Sequence, residues 1–331
     1  MSKLIVVVGI TGSQGGSVAR TFLDLPGWRV RGITRNPSSA AAQDFAAKGA
    51  EIVKGELDDK ASLVAAFTGA NAIFAVTDFW AHFGNADNAA KAEAAGKTIN
   101  EYAYDLEVVQ GINMAEAAAS PEVFKTLERF VFSSLAEVRK WTGGKYKWVW
   151  HFDSKAEIVN YIKEKLPELD ARSSFVQIGH YMTNWKLFPA MAPQKQPDGS
   201  FLVQKPEAPE CLIPWVATER DTGAFVKALV EMPAGKQIIG VSEYMTWPEW
   251  TKLWGRVLGV EAKFVQLPMD QFLSDVPEVL KRELYESFAF NAEFGWTGGD
   301  PDVLKPTDLP VKIPLTSVED YIRSEDWSSI M

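Results

Sequence analysis

Short apolar runs alternate with amphipathic stretches along the first half of the chain. "KLIVVVGI" (3–10) is continuous, apolar and rich in β-branched residues, the pattern of a strand buried on both faces of a parallel sheet. A glycine-rich turn and a helix follow, with Val18, Phe22 and Leu25 on one side. "WRVRGITR", "EIVKG", "NAIFAVT", "RFVFSSL" and "SSFVQIG" read as five more strands. Helical stretches separate them: "AAAQDFAAKGA", "DKASLVAAFTG" with Asp58 or Asp59 near its N-cap, residues 86–118 with breaks expected near Gly96 and Gly111, and a helix running from "WHFDSKAEIV" to about Leu166. Strand and helix alternating at this spacing predict an α/β fold, a Rossmann-type doubly wound parallel sheet.

The rhythm changes after about residue 183. Prolines become frequent (Pro189, Pro193, Pro197, Pro206, Pro209, Pro214), and the elements are shorter. "ERDTGAFVKALVEM" reads as an amphipathic helix and "KQIIGV" as a strand; "TWPEWTKLWGRVLG" is a helix opened by a Thr246–Glu249 capping box. "VEAKFVQL" is a strand and "TSVEDYIRSEDW" a last short helix. The expected division is a dinucleotide-binding lobe over 1–183 and a smaller α/β lobe over 184–331, on the substrate or partner side, with about 212–241 returning to the first lobe.

Composition narrows the class. The 331 residues are 47% hydrophobic and 23% charged, and the formal net charge is -9. An acidic chain does not suggest a direct nucleic-acid or anionic-membrane binder. One cysteine, Cys211, excludes an intramolecular disulfide and fits a buried small hydrophobe better than a redox switch. The N-terminal apolar run is too short for a signal peptide core, and no stretch would span a bilayer. The expectation is a cytoplasmic protein, or a nuclear one if its role is regulatory. Three scattered histidines, His82, His151 and His180, give no zinc spacing. Neither a nucleophile elbow nor a phosphate loop of the GxxxxGK[ST] type is present.

"GITGSQGG" carries the strongest local chemistry. Gly9, Gly12 and Gly15 stand between a strand and a helix, where glycines let the backbone approach a pyrophosphate and the helix N-terminus offers free N–H groups. Thr11, Ser13 and Gln14 add side-chain donors. At the end of the second strand, "ITRNPSS" has Arg35 where an NAD site would place a carboxylate; a guanidinium there suits a 2′-phosphate, with Ser38 and Ser39 nearby. The cofactor reading is NADP(H) ahead of NAD(H).

"GITGSQGGSVAR", "ITRNP", "KGELDD", "AIFAVTDFW", "RFVFSSL" and "HFDSKAEIVNYI" together resemble the NmrA-like family, atypical members of the short-chain dehydrogenase superfamily, in order over about residues 3–185 and more loosely beyond. "HFDSK" resembles the redox-sensor branch more than the fungal nitrogen regulator. The resemblance implies NADP(H) in a cleft between the lobes, Leu57 and Asp58 along the adenine, Thr77 and Phe79 past the ribose and diphosphate, and His180 and Tyr181 around the nicotinamide. Residues 78–104 are longer than the family pattern needs and read as a lid or interaction surface.

Active short-chain dehydrogenases place Tyr-x-x-x-Lys on the helix after the fifth strand and a serine at that strand's end. Here Lys155 is kept, Ser133 and Ser134 stand at the serine position, and His151 holds the tyrosine's place. Two readings follow. In the first, Lys155 anchors the coenzyme and the protein is a redox sensor or regulatory binding protein. In the second, Lys155, Ser134 and His151 as general acid, or a loop tyrosine such as Tyr146 or Tyr181, reduce a carbonyl, imine or activated alkene in a hydrophobic small molecule. The first is preferred. A protein partner is equally compatible, and oligomerisation is left open.

Overall fold

The computed structural model describes residues 2–187 and 189–331. Its centre is an eight-stranded sheet in which every neighbouring pair is parallel. Six strands come from the first half: β1 (Lys3–Val8), β2 (Trp28–Thr34), β3 (Glu51–Lys54), β4 (Ala72–Ala75), β5 (Arg129–Ser134) and β6 (Ser173–Ile178). They lie in the order β3-β2-β1-β4-β5-β6, and Gln237–Gly240 and then Val303–Leu304 extend the sheet beyond β6. The doubly wound parallel sheet is therefore present, widened by two strands from the C-terminal half. Both edges are short: β3 on one side, the two residues 303–304 on the other.

Continuous apolar strands require cover on both faces, and each face has its own core. On one, Val6, Val8, Ile73 and Phe132 meet Leu63, Met114 and Ile158 from helices Lys60–Phe67, Ile99–Ala118 and Trp150–Lys165. On the other, Ile5, Val7, Phe74 and Val176 meet Val18, Phe22, Phe225 and Leu229 from helices Ser13–Leu23 and Thr218–Glu231. The second of these helices lies beyond residue 183 yet packs on the first helix of the chain. Gly223 makes this approach fit: a Cβ there would stand 2.1 Å from Thr21 Oγ1 and 2.5 Å from the Ser17 carbonyl oxygen.

The break expected in residues 86–118 occurs at Gly96, which adopts φ +67° between helices Ala86–Ala94 and Ile99–Ala118. The break expected at Gly111 does not occur. The helix runs through it, because this glycine is a contact point: a Cβ would stand 2.2 Å from Ile158 Cδ1 on the neighbouring helix.

The remaining core is aromatic. Trp215, Trp247, Trp250, Trp254 and Trp327 form one cluster, with Trp185 stacked on Trp327 at 4.5 Å between ring centroids. Small sheets frame it: Leu212–Val216 between Glu243–Thr246 and His180–Tyr181, and Phe201–Lys205 between Ala262–Gln266 and Gln194–Lys195. Helix Trp247–Leu258 starts with the expected capping box of Thr246 and Glu249. A long helix, Glu278–Phe294, which the hydrophobic pattern did not reveal, lies against Ile99–Ala118 and helix 150–165. No helix among the described residues is long and apolar enough to cross a membrane.

The contact at Gly223 gives a direct test. Gly223→Ala should lower unfolding stability by roughly 1–3 kcal/mol through overpacking. Gly84→Ala, at a position with ordinary φ and nothing within 4 Å of the added carbon, should change it little. Urea midpoints of the two variants check this.

Candidate functional site

The turn after β1 holds the backbone in the expected way. Gly9 takes φ +66°, and its carbonyl accepts from the Gly12 N–H at 2.9 Å. Helix Ser13–Leu23 starts at Gly12 without a side-chain cap, so none of its first N–H groups is satisfied by a capping side chain. The three glycines have different reasons. A Cβ on Gly15 would strike the Gly9 carbonyl oxygen at 2.2 Å, so this glycine serves strand–helix packing. At Gly12 the nearest atom would be 3.4 Å away, so nothing in the protein requires a glycine there. That leaves an open approach to the helix end, which fits an anionic diphosphate.

Other predicted contacts have varied surroundings. Thr11 is exposed; Ser13 Oγ lies 3.4 Å from Glu219 Oε1. Gln14 donates to the Tyr181 hydroxyl at 2.7 Å, while its buried Oε1 has no partner among the described residues. Burial pushes the Tyr181 phenol up to about 12. Arg35 stands exposed just after β2, with no hydrogen bond or ion pair among the described residues. Ser38 turns back to Asn36, and Ser39 caps helix Ala40–Ala47. The Leu57 carbonyl accepts from Asn113, Asp58 accepts from Gln110, and Asp59 rather than Asp58 caps its helix.

The "HFDSK" segment forms the first two turns of helix 150–165, and each of its polar residues has a fixed partner. Lys155 Nζ lies 3.0 Å from the Thr77 carbonyl oxygen, 2.8 Å from Thr77 Oγ1 and 2.5 Å from Glu107 Oε1. That is one acceptor for each of its three N–H donors. Glu107 is fully buried, and its other oxygen accepts from Ser154. His151 Nδ1 lies 2.6 Å from Glu283 Oε1, which also accepts the His151 backbone N–H at 3.0 Å; Asn100 donates to Glu283 Oε2. Glu283 too is fully buried. One turn along its helix, Glu286 accepts the Lys147 and Trp148 N–H groups at 2.6 and 2.7 Å. Helix 150–165 has no side-chain cap of its own; Glu283 from helix 278–294 satisfies one of its first N–H groups, that of His151, and Glu286 holds the two residues that lead into it.

Aromatic rings cover His151. Trp80, 40% exposed, lies 4.9 Å from its ring centroid, and the buried Phe79 lies 5.9 Å away. These rings start the 78–104 segment. Ser133 and Ser134 are buried at the end of β5, and Ser134 Oγ has no partner among the described residues. Tyr146 donates its hydroxyl to Glu293. His180 stands among Trp215, Trp247 and Trp296; burial first, then Lys205, pushes its pKa down to about 3. Cys211 is half-buried, with its thiol pushed up to about 11, mainly by burial. Among the described residues no three His, Cys, Asp or Glu side chains gather as metal ligands.

The structure thus joins Lys155 to Thr77, Gln14 to Tyr181 and His151 to the Phe79–Trp80 segment. Glu107 and Glu283, which the sequence reading did not select, are the partners of its two central residues. The NmrA-like family model matches residues 1–322. The chain belongs to the NmrA-like family. It is 30% identical over 279 residues to the NmrA-like family domain-containing oxidoreductase hkm9 of Aspergillus hancockii, covering 80% of this chain and 76% of that one. Among solved structures, NmrA, a negative transcriptional regulator in complex with NAD, superimposes with a TM-score of 0.72 at 21% identity over 98% of this chain and 95% of that one. The NADPH-dependent quinone oxidoreductase QOR2 of Escherichia coli, complexed with NADPH, does so with 0.66 at 18% identity, covering 96% and 98%. At these identities the structural likeness extends to the fold.

Asp153 of the same segment is a structural member of this NmrA-like chain. It accepts the Arg139 N–H at 3.2 Å and stands 3.3 Å from the Arg139 Nε. Burial outweighs that cation and raises its pKa to about 6 from the ordinary 3.8. The folded protein therefore keeps this proton to higher pH than the unfolded chain. Its contribution to stability is full below about pH 4 and is lost as pH rises through 6, by on the order of 2–3 kcal/mol. Asp153→Asn should remove that dependence: the stability difference, wild type minus variant, should fall between pH 4 and 7 in denaturant titrations.

Proposed function

We propose that this chain is an NADP(H)-binding regulatory protein in which coenzyme occupancy is felt by the C-terminal half through helix 150–165. One observation carries the reading: all three Lys155 donors are spent on the protein, one of them on the fully buried Glu107. In an active short-chain dehydrogenase this ammonium holds the nicotinamide ribose and lowers the pKa of a tyrosine. Here His151 stands in the tyrosine's place, and Glu107 offsets the positive charge. A ribose hydroxyl reaching Lys155 must displace Thr77. Thr77 leads directly into Phe79 and Trp80, which pack on His151, and His151 is bonded to Glu283. The path from coenzyme to helix 278–294 is therefore one continuous set of contacts.

The open glycine turn, the uncapped helix start and the unpartnered Gln14 oxygen support a dinucleotide there. The unpaired Arg35 at the end of β2 supports the phosphorylated form. NmrA and QOR2, bound to NAD and NADPH respectively, support the cofactor class.

A second reading has its own observation. A buried carboxylate fixing His151 through Nδ1 leaves Nε2 as the ring nitrogen able to hold or move a proton, the arrangement a general acid needs. The bound coenzyme would supply a hydride, and the aromatic cover would exclude water. Relatives named as oxidoreductases favour this reading, for a carbonyl, imine or activated alkene in an apolar molecule.

Arg35→Ala should weaken NADPH binding roughly 10–100-fold, the worth of a charge-assisted contact, and NADH binding little. An equal loss for both, by calorimetry, would remove Arg35 from 2′-phosphate recognition. Hydrogen exchange separates the two readings. NADPH should slow amide exchange in residues 278–294, and Glu283→Gln should diminish that protection. Binding without any change there overturns the regulatory reading. So does steady NADPH oxidation with quinones, enones, imines or aromatic aldehydes that disappears in Lys155→Ala and His151→Phe, a result that would establish the reductase.

A further inference from the structure

The coenzyme reading uses one end of the large sheet. The glycine turn, Arg35, Thr77 and Ser134 lie at or just beyond the C-terminal ends of their strands. Parallel strands also start together, and the far end, roughly 20 Å away for strands of six residues, has chemistry of its own. There Phe130 pairs with Ser173, and its N–H donates to the Arg172 carbonyl oxygen at 3.0 Å. Arg129, the first residue of β5, therefore stands beside Arg172, the residue before β6. Lys125, in the turn that leads into β5, joins them. Together with Asn71, Leu127 and Glu128, the three cations line an open cavity of about 620 Å³.

The two guanidinium groups are held by neutral groups. Arg172 Nη1 donates to the Phe124 carbonyl oxygen at 2.9 Å and to the Leu127 carbonyl oxygen, and the Phe124 ring centroid lies 3.6 Å from its Cζ. Arg129 Nε donates to the Met232 carbonyl oxygen at 3.0 Å and Nη1 to that of Glu128 at 2.8 Å. These bonds fix both forks. They leave Nε and Nη2 of Arg172 and Nη2 of Arg129 without a partner among the described residues. The exposed Lys125 side chain has none there either. Glu128 is the carboxylate of the wall, but Lys3 takes its Oε2 at 2.5 Å and Asn71 Nδ2 lies 3.4 Å from its Oε1. Like charges on neighbouring strands repel. In a chain of net charge -9, three clustered cations without an acidic partner leave a local deficit of negative charge.

We propose that this cavity binds a small multivalent oxyanion, a molecule with two or more carboxylate or phosphate groups. One group meets the free N–H donors of Arg129 and Arg172, whose planar forks suit paired oxygens, and another meets the Lys125 ammonium. The wall is formed before the ligand arrives. Asn71 Oδ1 accepts the Leu4 N–H at 2.9 Å, and the Asn71 carbonyl oxygen accepts the Glu128 and Arg129 N–H groups at 2.7 and 3.1 Å. The site lies at the opposite end of the sheet from the glycine turn and does not depend on the coenzyme reading.

Citrate and inorganic pyrophosphate are the probes, titrated by calorimetry into the full chain without coenzyme, at matched ionic strength and with acetate as the monovalent control. At least one should bind roughly tenfold or more tightly than acetate. Which one does so distinguishes a carboxylate ligand from a phosphate ligand. Lys125→Glu should weaken that binding roughly tenfold, and Lys312→Glu, the same charge change outside the cavity, should alter it little. The bound anion should also slow amide exchange in residues 124–129. The proposal is overturned if neither probe outbinds acetate, if Lys125→Glu harms binding no more than Lys312→Glu, or if the slowed amides are confined to residues 9–16 of the glycine turn. Should Lys125→Glu fail to fold, the exchange pattern of the wild type still decides.

Discussion

A carboxylate removed from water has to be surrounded by donors, and Glu283 meets that demand by drawing three parts of the chain together. Its oxygens take the His151 backbone N–H, the His151 ring and the Asn100 amide. Helix 150–165, its neighbour 99–118 and the distant helix 278–294 are thereby joined at one atom group. It also caps helix 150–165, which has no capping side chain of its own, while Glu286 holds the segment leading into it. Breaking one of these bonds would leave a buried charge short of a partner, a cost of a few kcal/mol. The position of His151 and Lys155 is therefore held by the C-terminal half of the chain as much as by β5 and its helix.

The same logic governs the other end of the segment. Glu107 holds Lys155 and Ser154 at once, so the ammonium that the superfamily commonly gives to a ribose is first a structural cation here. On the proposed reading, coenzyme binding is then a competition between internal acceptors and a ligand. On that reading its outcome depends on Thr77, the neutral partner of Lys155 among the described residues, and on the aromatic rings that follow it.

Much of the central sheet was legible in the chain, because strands buried on both faces read as unbroken apolar runs and the glycine turn follows the first of them. The break at Gly96 was legible for the same local reason. Gly111 misled, since a glycine kept for close helix contact looks the same in sequence as one that ends a helix. The helix 278–294 escaped because its inward face consists of Glu283, Glu286 and Phe290, which no hydrophobic periodicity detects. Glu107 and Lys205 escaped for a related reason, although a signal was present. Each is a lone charge on the apolar stripe of its element: Ala103, Glu107, Gly111 and Met114 in one case, Phe201, Val203 and Lys205 in the other. The partners of Glu107 are 47 and 48 residues distant and the carbonyls that hold Lys205 are 14 and 15, so the chemistry became visible only with the fold. His151 and Lys155 stood out in the sequence under two alternative roles, and the geometry adds the carboxylates that hold them, Glu283 and Glu107.

The edges of the large sheet carry a last consequence. One ends in the four residues of β3, flanked by Glu51 and Lys54, and the other in the two residues Val303–Leu304. Neither offers a ladder of unpaired amides long enough to template another chain, and charged ends blunt the longer of them. A second molecule could not continue this sheet into a fibril-like stack. A copy of the chain gains little by adding to either edge of this sheet, which keeps a very apolar set of strands out of reach of its own copies.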